Sequence, residues 1–89
     1  MTIKNVGIIG AGTMGSGIAQ AFATKGVQVT LQDLDAQALD RAIKTISGSL
    51  DRLIKKELLS SEQKDHALSC ITVRTDISAL SSSELFIEA

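Results

Sequence analysis

Three glycines spaced G-x-G-x-x-G, Gly10, Gly12 and Gly15, stand between an apolar run and an alanine-rich one. Each suits a different part of a backbone cradle for a pyrophosphate. Gly10 permits the tight turn off a strand, because it lacks the Cβ that would clash there. Gly12 lets the chain approach phosphate oxygens closely, and Gly15 lets a helix lie against the strand. The N–H groups and positive dipole end of that helix then face the anion. Gly12 occupies the expected cap position, where no Ser, Asp or Asn side chain is present to accept those N–H bonds. Asp33 follows eighteen residues after Gly15, where a carboxylate can accept hydrogen bonds from the adenosine ribose hydroxyls. The same glycines without a ligand would make an ordinary strand-to-helix turn. The flanking strand, helix and acid favour a nucleotide-binding βαβ unit.

Elements to position these residues are legible on both sides. Ile3 to Ile9 reads as a buried strand, and Met14, Ile18, Ala21 and Phe22 recur at helical spacing after it. Lys25 is expected in the last helical turn and Gly26 just past it. Val27 to Gln32 forms a second strand ending at Asp33. Asp35 can cap a long helix from Ala36, with Leu39, Ile43, Ile46, Leu50, Leu53 and Ile54 on its apolar face. Arg41, Lys44, Arg52 and Lys55 gather on the opposite face, either as a solvated stripe or as a strip for an anionic ligand. Ser49 and Lys56 lie two turns apart on the flank between those faces. Ser60 and Gln63 form a capping box for a short helix through about Leu68, with Ala67 and Leu68 inward. Cys70 leads into a third strand, Ile71 to Val73. Residues 76–83 form a polar connection, in which a helical turn is expected around Ile77 and Leu80, and Leu85 to Ala89 forms a fourth strand.

Composition narrows the function classes. The 89-residue chain is 44% hydrophobic with only two Phe as aromatics, so Ile, Leu, Val and Ala must build the core. That suits helices packed on a parallel sheet. A net charge of −1 disfavours nucleic acid or an anionic membrane as partner. One cysteine excludes an internal disulfide, and no metal-ligand cluster is present. The N-terminal apolar run is short and carries the glycines, unlike a signal peptide, so a cytoplasmic setting is expected. His66, the one histidine, sits among Gln63, Lys64 and Asp65 and reads as a surface residue. An apolar fourth strand at the end of the chain would need cover from a following element. The chain therefore reads as the first part of a larger protein.

The run from Gly10 to Ala23, then Asp33, the helix with Ser49 and Lys55-Lys56, and Leu85-Phe-Ile-Glu-Ala89 carry a family resemblance. Together they resemble the N-terminal NAD-binding domain of the 3-hydroxyacyl-CoA dehydrogenases, most strongly the bacterial 3-hydroxybutyryl-CoA members. The resemblance covers the whole chain. It implies a Rossmann-type, doubly wound parallel α/β sheet, residues 1–89 supplying its first four strands. It also implies a separate helical domain for dimerisation, and reversible hydride transfer between NAD and the C3 hydroxyl of a 3-hydroxyacyl-CoA. On this resemblance Gly10, Ala11, Gly12, Thr13, Met14 and Gly15 hold the pyrophosphate. Asp33 takes the ribose, Leu34 lies beside the adenine, and Ala89 lies at the ligand end of the fourth strand. Ser49 and Lys56 match positions that contact CoA. The family's catalytic His–Glu pair lies beyond these residues and His66 does not match it, so the 89 residues alone hold no catalytic residue.

Cofactor choice follows from charge. A carboxylate at Asp33 repels a 2′-phosphate about 4 Å away by roughly 1 kcal/mol in water and about 4 kcal/mol at a shielded site. Neither Leu34 nor Asp35 offers a cation, so NAD is favoured over NADP. Three other readings share the glycine motif: a β-hydroxyacid dehydrogenase of the 6-phosphogluconate type, a flavin-binding domain, and a non-catalytic NAD(H)-sensing module. The Thr13–Met14 context, the long helix and the Ser49–Lys56 flank stand against the first. The second needs motifs absent here. The third would bind NAD and ignore acyl-CoA.

Overall fold

The computed structural model describes residues 3–81 and 83–89. Four parallel strands form one sheet in the order β3-β2-β1-β4. Along the chain these are β1 (Asn5–Ile9), α1 (Thr13–Ala23), β2 (Gln28–Gln32), α2 (Ala36–Lys55), α3 (Ser61–Ser69), β3 (Ile71–Arg74) and β4 (Leu85–Glu88). A 3-10 turn, Ile77–Leu80, precedes β4 where a helical turn is expected; within that connection Ser82 lies outside the described residues.

Register determines which side chains share a face. Val6 pairs with Val29 and Leu85, and Ile8 pairs with Leu31 and Ile87. Strand side chains alternate, so these residues point one way. They join Ala19, Ala23, Leu39, Ala42, Ile46, Leu50 and Ala67 in one core. Helices α1, α2 and α3 pack against one another over that face. Successive right-handed crossovers in one direction put their helices on one side, and the three helices obey that rule. The chain then returns across β1 to place β4 on its other edge, so the strand order reverses between β1 and β4. Gly7 points to the opposite face, where a Cβ would come within 2.9 Å of Leu80 and 2.7 Å of the Ser83 hydroxyl. Its missing side chain lets Leu80 and Ser83 lie directly on β1.

Three local expectations need correction. Strand β1 begins at Asn5 rather than Ile3; Ile3 and Lys4 are exposed, although the Lys4 carbonyl still accepts from the Gln28 N–H at 2.9 Å. Helix α1 ends at Ala23, so Lys25 lies past the last turn, and Gly26 makes the turn at φ +81°. The inward face of α1 is Gly15, Ser16, Ala19 and Ala23, whereas Met14 is 68% exposed and Ala21 faces solvent. The helix lies too close to the sheet for a large side chain at its first turn, so the small residues are inside. Ile18 and Phe22 pack at the rim.

The two caps read from sequence are present. Asp35 accepts from the Gln37 N–H at 2.9 Å and starts α2. The Ser60 hydroxyl accepts from the Gln63 N–H at 3.1 Å, and the Gln63 side chain accepts from the Ser60 N–H at 2.8 Å. At its far end α2 closes with Glu57 N–H on the Ile54 carbonyl and Leu58 N–H on the Leu53 carbonyl. Glu57 takes φ +61°, the left-handed position usually given to glycine in this C-terminal motif. Lys56 is thereby fixed as the C-cap residue of α2.

Candidate functional site

The site lies at the carboxyl ends of β1 and β2, beside the reversal of strand order. Open α/β sheets place ligands in such a crevice. Gly10 leaves β1 at φ +104°, and a Cβ there would meet the Ala89 carbonyl at 2.8 Å. Its N–H donates to the Gln32 carbonyl at 2.7 Å, and the Ala89 N–H donates to the Ile9 carbonyl at 2.9 Å. The turn is therefore tied to β2 on one side and to the end of β4 on the other. A Cβ on Gly15 would lie 1.9 Å from the Gly10 carbonyl oxygen, which no side chain can occupy. Gly12 is the contrary case: it caps α1, and a Cβ there would meet nothing within 4 Å. No side chain caps α1, and no acid lies in its first turn. Its leading N–H groups thus adjoin open space, next to the exposed Thr13 and Met14.

Asp33 does more than its position at the end of β2 suggests. One carboxylate oxygen accepts from the Ala11 N–H at 3.0 Å, and the other accepts from the Asp35 N–H at 2.9 Å. The side chain thus joins the glycine turn to the start of α2. The Asp35 N–H, then the Ala11 N–H, favour the charged form and hold the carboxyl below its usual range, against a smaller opposing effect of burial. The positive charge of Arg41 acts in the same direction. A carboxylate has about four lone-pair sites, so two remain after these bonds.

A cavity of about 400 Å³ opens beside this carboxylate, lined by Ile9, Gly10, Gln32, Asp33, Leu34 and Ile77. Leu34 is 87% exposed at its edge. Sequence reading missed Gln32 and Ile77 here. Gln32 is buried because its amide donates to the Thr75 carbonyl at 3.1 Å, and only the β3 register reveals that partner. Ser49 and Lys56 do not line this cavity; Ser49 is half-buried on α2 and Lys56 is exposed at its end. Arg41, in the basic stripe, holds its guanidinium 3.8 Å from the Asp35 carboxylate.

A larger, shallower depression of about 690 Å³ lies at the opposite end of the strands, lined partly by Lys25, Ser60 and His66. The α3 capping box uses the Ser60 and Gln63 N–H groups, and His66 is exposed with Nε2 3.9 Å from the Cys70 sulfur. Among the described residues no group of His, Cys, Asp and Glu could hold a metal ion, and no helix is long and apolar enough to cross a membrane.

A parallel sheet of this order, with an open glycine turn at its reversal and an acid closing β2, defines a dinucleotide-binding α/β domain. Residues 5–89 match the family model described as the 3-hydroxyacyl-CoA dehydrogenase NAD binding domain. The chain belongs to that family, and the cofactor of the domain is NAD. It is 40% identical over 89 residues to 3-hydroxyadipyl-CoA dehydrogenase of Escherichia coli, covering 100% of this chain and 19% of that protein. It is 42% identical over 86 residues to 3-hydroxybutyryl-CoA dehydrogenase of Bradyrhizobium diazoefficiens, covering 97% and 29%. The crystal structure of (S)-3-hydroxybutyryl-CoA dehydrogenase from Ralstonia eutropha superposes with a TM-score of 0.96 at 45% identity, covering 99% and 31%. The chain thus spans between 19% and 31% of the length of these relatives.

Proposed function

We propose that the chain is the cofactor-binding part of an NAD-dependent 3-hydroxyacyl-CoA dehydrogenase of fatty acid metabolism. The reading extends to a cytoplasmic setting and a homo-oligomeric whole enzyme. In it residues 1–89 form one Rossmann-type domain, with NAD accepting or returning the hydride at the substrate's C3 carbon. Backbone from Gly10 through Ala11, Gly12, Thr13 and Met14 to Gly15 receives the pyrophosphate. Asp33 accepts from the ribose hydroxyls with its free lone pairs, Leu34 covers the adenine, and Ala89 lies at the ligand end of β4. Ser49 and Lys56 contact the CoA portion of the substrate.

The observation that carries this reading is the open space at Gly12 beside the uncapped start of α1. A phosphate oxygen placed there meets donors that no protein group uses. Calorimetric titration with NAD and NADH tests it, and a folded chain that gives no heat with either removes the cofactor site. Acetoacetyl-CoA tests the substrate half. Lys56→Ala should weaken its binding about three- to fivefold, the scale of one exposed charge pair, and an unchanged dissociation constant removes Lys56 from the CoA site.

A further inference from the structure

The turn Asp33-Leu34-Asp35 carries two carboxylates, and α2 brings a cation back over it. Arg41 Nη2 lies 3.8 Å from Asp35 Oδ2 with its side chain 68% exposed. Asp33 lines the cavity, its Oδ1 accepts from the Asp35 N–H at 2.9 Å, and the Arg41 charge reaches it, so the Asp35–Arg41 pair adjoins the cavity's carboxylate. Lys44, Arg52 and Lys55, the other members of the stripe, are exposed along α2 and have no ion-pair partner among the described residues. Arg41 is thus the cation that Leu34 and Asp35 do not themselves provide.

We propose that Arg41 is a specificity-determining residue, the latent anchor for a 2′-phosphate on the adenosine ribose, kept from that use by Asp35 and Asp33. The proposal rests on reading Asp33 as the ribose acceptor. A 2′-phosphate carries up to two negative charges and three acceptor oxygens, which the planar guanidinium matches as a bidentate fork. Asp35 competes for the same fork, and Asp33 repels the incoming phosphate. NAD therefore remains preferred, by a smaller margin than Asp33 alone would impose.

Dissociation constants for NAD and NADP, measured on the native chain and on variants, test this. Arg41→Gln should weaken NADP roughly three- to fivefold more than NAD, the scale of an exposed pair, and Arg41→Lys should restore part of the loss. Asp33→Asn should tighten NADP relative to NAD, and adding Arg41→Gln should abolish most of that gain. The difference between Asp33→Asn and the double variant should shrink as salt is raised. Equal NADP affinity in Asp33→Asn and the double variant overturns the role of Arg41 while leaving the ribose reading intact. A native chain that binds neither dinucleotide overturns both.

Discussion

Helix α1 begins at Gly12 with no side chain on its leading N–H groups, whereas α3 begins at Ser60 inside a complete capping box. The α3 start borders a depression of about 690 Å³, whereas the cavity of about 400 Å³ lies beside Gly10, in the turn that leads into α1. Size therefore does not mark the ligand end of this sheet. What differs is the fate of the backbone donors. At α3 two of them, those of Ser60 and Gln63, are satisfied within the capping box. At α1 the donors face open space, and the nearby carboxylate is already fixed in place. A helix start completed by its own residues serves stability; one left open is available for binding.

Substitutions can test the two starts against each other. The largest effect is expected from Gly15→Ala, because its Cβ would fall 1.9 Å from a backbone oxygen. Destabilisation of roughly 3 kcal/mol, the upper end for overpacking, should appear in denaturant unfolding. A midpoint like that of the native chain would mean the turn yields far more readily than its hydrogen bonds suggest. Gly12→Ala should behave differently, since its Cβ meets no protein atom. Stability should change by less than about 1 kcal/mol, while NAD affinity falls about tenfold or more, equivalent to roughly 1.4 kcal/mol. Undiminished NAD binding in that variant would remove the distinction between the two helix starts. Ser60→Ala supplies the converse: a loss of about 1 kcal/mol in stability with an unchanged dissociation constant for NAD.

The smallest effect is expected from pH. The Asp33 carboxyl lies below its usual range in the folded chain because the N–H groups of Asp35 and Ala11 bind its charged form. Its stabilisation is complete above the ordinary carboxylate range and is lost as pH falls below it through the folded-state value. Asp76, held down by the Ser78 hydroxyl and N–H, contributes with the same sign. The measurement is therefore the difference between native chain and Asp33→Asn in acid unfolding. The native chain should lose its advantage on acidification, and parallel curves would show that the tie across the turn adds nothing to stability.

How much of this was legible in the sequence depends on the range of the interaction concerned. The caps at Asp35 and Ser60 were readable because donor and acceptor lie within three residues, and the four strands because their apolar runs are bounded by turn residues. Asp33 was readable as an acid closing β2, but its bond to Ala11 was not, since those residues meet only after β1 and β2 pair. Gly7 looked like part of an apolar run, and its need to be glycine arises from Leu80 and Ser83 across the fold. Met14 followed the helical period and yet points outward, because closeness of α1 to the sheet outweighs side-chain hydrophobicity there. Arg41 belonged by spacing to a stripe, and only the turn before α2 bends a carboxylate toward it.

The double tie on Asp33 bears on how quickly a dinucleotide can dock. Both oxygens are tethered, so the acceptor and the backbone beside it need no reordering step when a ligand arrives. Capture should then follow a single exponential whose rate rises linearly with concentration, without the plateau that a slow conformational gate would impose.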